Sequence, residues 1–173
     1  MIRNFAFLIV ALFTNPLLFA DSSLEYQVKA VCVLNAARFV TWPASAFAAA
    51  DSPLVIGVLG ENPFGSLLED AVNGQTVQRR RIVVRQVNAG QAAGCHILFV
   101  CRSERDRLAT VFQKLGTASV LTMSEIEGFA QSGGMLALTL DRGKIRFECN
   151  PAVAQRAGLK IDSQFLLLSR IVK

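Results

Sequence analysis

Short runs that are apolar on both faces constrain this chain more than any motif does. PLVIGVLG (53–60), CHILFV (95–100) and SVLTM (119–123) are too short for packed helices and show no polar alternation. Each therefore reads as a strand covered on both sides. The segments between them carry helical spacing. GSLLEDAVNG (65–74) reads as a short helix ending at the Asn73-Gly74 turn, and SERDRLATVFQKLG (103–116) as a helix capped by Ser103 and stopped by Gly116. In the latter, Leu108, Val111, Phe112 and Leu115 share one side. Upstream, Ser22 and Glu25 are spaced as a capping box for a helix carrying Leu24, Val28, Val31, Asn35 and Phe39, stopped by Pro43.

RRIVVRQV (80–87) reads as a further strand. MLALTL and KIRFECN flank Asp141-Arg142-Gly143 as an antiparallel hairpin. Ser124 and Glu127 form a second capping box in SEIEGFAQSGG, which accounts for the acids Glu125 and Glu127. NPAVAQRAG reads as a short helix, LKID as an extended piece and SQFLLLSRIV as a final amphipathic helix. The fold class that follows is α/β: one domain with a mixed, mostly parallel sheet, helices on both faces and a hairpin near the C-terminus.

The first residues, MIRNFAFLIVALFTNPLLFA, place Arg3 before an apolar run from Phe5 to about Phe13, with Ala20 ahead of Asp21. That is the order of a secretory signal peptide, and the run is shorter than the about 20 residues a spanning helix needs. Residues 1–20 are expected to be a signal and 21–173 the domain, exported to where disulfides persist. The formal charge of +5 is mild. Its densest part, Arg79-Arg80-Arg81, has no interleaved aromatics, so a solvated strand edge is preferred to a nucleic-acid surface.

GCHILFVCRSE (94–104) sets Cys95, Cys101 and the only histidine, His96, close together. On a strand Cys95 and His96 point to opposite faces. Cys95 and Cys101 lie about 20 Å apart along it, too far to share a metal or a disulfide. His96 then reads as a packed core residue. No GxSxG, P-loop or CxxC pattern occurs, so neither an enzyme, a metal nor a cofactor is expected. Four cysteines in an exported chain suggest bridging, and with Cys95–Cys101 excluded, Cys95–Cys149 is the first choice, tying hairpin to sheet. Cys32 reads equally well as a small buried hydrophobe.

Two surfaces are candidates. Alternation in KIRFECN puts Lys144, Arg146, Glu148 and Asn150 on one face, with Arg146, Glu148 and Asn150 as the partner-binding choice. The competing reading is a solvated face with an Arg146–Glu148 pair worth under ~1 kcal/mol. In open sheets, ligands sit beyond the carboxyl ends of the parallel strands, which here nominates Asn62, Phe64, Arg102 and Ser103 for a small ligand.

The segments EYQVKAVCVLNAARFVTWP, PLVIGVLGENPFG, CHILFVCRSE, VLTMSEIEGFAQSGGM, KIRFECN and RAGLKI, in this order, resemble the YfiR family of exported bacterial proteins. The resemblance implies a periplasmic repressor, often dimeric, that binds the periplasmic part of an inner-membrane diguanylate cyclase. Cyclic-di-GMP and biofilm formation are lowered as a result. It also implies redox control through disulfides and cooperation with an outer-membrane lipoprotein. Where the family usually has a Gly and a Pro, this chain has Arg79 and Arg81. Cys95 fits the family pattern, whereas Cys32, Cys101 and Cys149 do not.

Overall fold

The computed structural model describes residues 16–173; the apolar run read as the core of an export signal lies outside them. Helix α1 spans Pro16–Arg38 and passes through Ser22 without a break, so the Ser22–Glu25 spacing does not start it. Its buried side is set by small residues, Ala30, Val33, Ala36 and Ala37, which let the helix lie close to the sheet. Leu24, Val28 and Val31, the stripe conspicuous in the sequence, face outward. After α1 come β1 (Val40–Thr41), β2 (Leu54–Leu59), α2 (Leu67–Val72), β3 (Thr76–Val77), β4 (Arg80–Val87) and β5 (Ile97–Val100). Then follow α3 (Leu108–Leu115), β6 (Leu121–Ser124), β7 (Leu136–Asp141), β8 (Lys144–Cys149), α4 (Pro151–Arg156), β9 (Lys160–Ile161), α5 (Ser163–Leu167) and β10 (Ser169–Ile171).

The main sheet has eight strands in the order β10-β8-β7-β6-β5-β2-β4-β3. The central pairs β4–β2, β2–β5, β5–β6 and β6–β7 are parallel, while β7–β8 and β3–β4 are antiparallel hairpins. This is the mixed, mostly parallel sheet expected from the sequence. Alternation splits each central strand between two cores: Ile97 and Phe99 join the side of α1, α2, α4 and α5, whereas Leu98 and Val100 join the side of α3. Separately, β1 pairs β9 antiparallel, fastening the chain after α1 to the chain after α4.

Three expected elements differ. Ser103 does not cap a helix; its Oγ accepts a hydrogen bond from the Glu61 amide, and Arg102–Arg107 form a 3₁₀ turn before α3. The segment after β6 is a run of turns, and the Ser124 hydroxyl donates to the Val100 carbonyl while accepting from the Ile126 amide. SQFLLLSRIV is not one helix: α5 ends at Leu167, and β10 lies parallel on the outside of β8.

Candidate functional site

β6 stops at Ser124 while its parallel neighbour β7 runs on to Asp141. The shortfall leaves a notch beside β7, at the carboxyl ends of β5 and β6, and Glu25 and Lys29 in the middle of α1 line one side of it. A cavity of 590 Å³ occupies the notch. Four carboxylates line it, Glu25, Glu125, Glu127 and Glu148; Glu125 and Glu148 are buried, and each anchors a charged cluster that forms one pole of the site.

Glu125 is buried, and three groups converge on it. Lys29, itself 3% exposed, is held between Glu125 and Glu25 one helical turn away on α1. The Tyr26 hydroxyl donates to Glu125 Oε1 at 2.9 Å, and Arg102 Nε lies 3.2 Å from the same oxygen. Burial, reinforced by the Glu125 carboxylate, pushes the Tyr26 hydroxyl up to about 12, so it remains a donor. The Lys29 ammonium also sits 4.6 Å from the Tyr26 ring centroid. At the other pole, Gln131 Nε2 donates to Glu148 Oε2 at 3.0 Å, and the Arg170 guanidinium pairs with Glu148 Oε1. The side chains of Arg102 and Arg170 are 63% and 66% exposed and form charged lips on the cavity.

Glu25, Glu125 and Glu148 are each engaged by cations or donors, whereas Glu127 lines the cavity exposed and, among the described residues, without an ion pair; the arrangement supplies charged binding walls. His96 sits at the opposite, amino end of β5. Its Nδ1 accepts from the Val55 amide at 3.0 Å, its Nε2 donates to the Ala46 carbonyl at 3.1 Å, and its ring stacks on Phe47. It is the packed core residue the sequence suggested. The cysteines are free thiols. Burial, with Glu125, Glu104 and Glu61 nearby, pushes Cys101 up to about 12, and burial alone pushes Cys149 to about 11. Cys95 and Cys149 are not bridged. They lie in the two cores on opposite faces of the sheet, so the sheet itself separates them.

Of the ligand candidates, only Arg102 lines the cavity. Phe64 is buried, packed edge-on between Tyr26 and Phe99 at 5.6 and 4.8 Å, and so supports the site from below. Asn62 closes its own turn, accepting from the Phe64 amide, and Ser103 ties two strand-end loops together. The KIRFECN residues do not form one exposed face. Lys144 and Arg146 are exposed, with Arg146 Nε 3.9 Å from Asp141 rather than on Glu148. Glu148 and Asn150 are buried. Asn150 caps α4 by accepting from the Val153 amide and donates to the Ala130 carbonyl. For Glu148 the reason is β10, which pairs alongside β8 with Arg170 in register with Glu148, while Asn150 is enclosed by the loop after β6 and by α4.

Lys29, Tyr26 and Glu125 were not legible as a site. One signal was present: Lys29 interrupts the small-residue side of α1, four residues after Glu25, and a lysine there must find a buried partner.

The model of the YfiR/HmsC-like family matches residues 26–170, which takes in all of these groups except Glu25. The chain belongs to the YfiR/HmsC-like family. This is a regulatory family of the periplasm rather than a catalytic one. No curated protein sequence matches the chain. Among solved structures, a conserved domain protein from Vibrio cholerae O1 biovar El Tor is similar at 12% identity and a TM-score of 0.53, over 69% of this chain and 55% of that one. The ABC domain in complex with L-Trp from Streptococcus pneumoniae is similar at 12% identity and a TM-score of 0.51, over 68% of this chain and 55% of that one. At this identity the likeness is one of fold, and this YfiR/HmsC-like chain matches just over half the length of each. No helix among the described residues is long and apolar enough to cross a membrane, and these residues contain no His/Cys/Asp/Glu group that could hold a metal ion.

Proposed function

We propose that this YfiR/HmsC-like protein is exported to the periplasm and there binds and restrains the periplasmic part of an inner-membrane diguanylate cyclase. The effect would be to lower cyclic-di-GMP and biofilm formation. The observation that carries the reading is the family match, which extends over nearly the whole α/β domain. Cleavage after Ala20, a homodimer and cooperation with an outer-membrane lipoprotein belong to the same reading. Arg146, with Lys144 beside it, is the contact offered on the KIRFECN strand; Glu148 and Asn150 act beneath it by fixing β10 and α4.

The test is cellular cyclic-di-GMP with the gene deleted and then restored. A rise on deletion, reversed by restoration and not reversed by an Arg146→Glu variant of normal thermal stability, is the expected result. An unchanged level, in cells expressing a candidate cyclase, would overturn the reading.

The strand-end cavity favours a second reading, a small-ligand sensor acting on another membrane receptor. Its support is the 590 Å³ volume between two charged poles. A ligand that fits would raise the melting temperature in proportion to the logarithm of its concentration, so a thermal-shift panel of anions and amino acids tests it.

A further inference from the structure

The sheet ends differently at its two sides. At the β4 side, the two-residue β3 covers only Arg80 and Arg81, and among the described residues Ile82–Val87 have no strand neighbour on the outer side. An unpaired edge of this length presents a row of N–H and C=O groups to solvent. Two further features lie along it. Alternation places Arg81, Val83, Arg85 and Val87 on one face, with both arginines exposed. Among the described residues, Arg79, Arg81 and Arg85 have no carboxylate within salt-bridge distance, whereas Arg80 is occupied by the Phe47 ring and the Ala49 and Ser52 carbonyls. On the other face, Ile82 and Val84 border a 450 Å³ groove whose lining also includes Val72, Gln75, Glu69, Asp70 and part of Arg81.

We infer that this edge accepts an extended segment of a partner protein as an added strand, one that alternates carboxylate and apolar side chains. Carboxylates would meet Arg81 and Arg85 on one face. Apolar side chains would pack on Ile82 and Val84 in the groove on the other. A second copy of this chain is the poorer occupant. A twofold antiparallel pairing centred on Val83 would need Arg85 opposite Arg81, a position β3 already fills. Centring on Val84 brings the two Arg85 side chains together diagonally, and centring on Arg85 sets them directly opposite. Like charges in such positions destabilise a pair. The same arginines that repel a second copy therefore select an acidic strand. This surface lies across the sheet from KIRFECN and does not depend on the partner being a cyclase.

The probe is a capped peptide, acetyl-Val-Glu-Val-Glu-Val-Glu-Val-amide, with its lysine counterpart as control, each added to the purified chain at low salt. Hydrogen exchange is followed across the molecule. The glutamate peptide is expected to slow exchange in residues 82–87 by tenfold or more, the lysine peptide not at all, and an Arg81→Glu/Arg85→Glu variant to reverse the preference. Should that variant fail to fold, Arg81→Gln/Arg85→Gln is expected to lose the protection. Absence of protection, equal protection by both peptides, or protection confined to other strands would overturn the inference.

Discussion

Lys29 is the residue on which most of the candidate site turns, because its charge is satisfied entirely within the protein. Burying an ammonium is tolerable only with paired carboxylates, and Glu125 and Glu25 supply them. Lys29→Met would leave the buried Glu125 with only Tyr26 and Arg102. The expected loss is roughly 3–5 kcal/mol in urea unfolding, the range for breaking a buried pair; a loss below about 1 kcal/mol would mean those two suffice. His96 gives a pH signature. Burial lowers its pKa, opposed by the Ala46 hydrogen bond and assisted by Arg80, so the unfolded chain takes up the proton first as pH falls. Stability is therefore full above about pH 6.5 and falls below it, by at most about 1.4 kcal/mol per pH unit, until the folded histidine also protonates. Urea midpoints at pH 7.5, 6.5 and 5.5 should show this decline, and His96→Phe should abolish it, since the chain has no other histidine.

At the level of elements, β10 decides what β8 can do. The terminal apolar stretch has helical spacing over its first half, and α5 forms there. What ends the helix is the empty edge of β8, where residues 169–171 gain backbone partners and Arg170 reaches Glu148. Two arginines then have different weights. Arg170→Ala would leave Glu148 buried with Gln131 alone and is expected to cost roughly 1–3 kcal/mol. Arg146→Ala removes an exposed, loosely paired charge and should change stability by less than about 1 kcal/mol. Comparing the two unfolding midpoints checks the assignment. The hairpins show the same division between sequence and context. Arg142-Gly143 is recognisable turn chemistry, but Gln78 and Arg79 adopt positive φ of 52° and 65° with no glycine to announce it, and only the β3–β4 register reveals that turn.

Across the whole molecule, the sheet is a wall between two cores, and that wall governs the cysteines. Cys149 and Cys101 lie in one core and Cys95 in the other, with Cys32 half-buried against the first. With all four as thiols, Ellman's reagent should react slowly with Cys32 and with the other three only after unfolding. The melting temperature should be unchanged by dithiothreitol. A drop of several degrees on reduction would instead show a bridge that stabilises the fold.

The sequence by itself determined the sheet: doubly apolar runs can be satisfied only between two layers, and the Asp141-Arg142-Gly143 hairpin is a matter of local turn chemistry. It also determined the family, through segments spread along the domain. It did not reveal the Lys29–Glu125–Tyr26–Arg102 cluster, because its members come from three segments up to 99 residues apart and each has an ordinary local explanation. Pairing of that kind is decided by which strand stops short and which helix crosses its end. The same holds for Glu148 and Asn150, polar by type and buried by β10 and the loop after β6. Local spacing fixes what a segment can form; only the packed arrangement fixes which of its polar groups are left facing water.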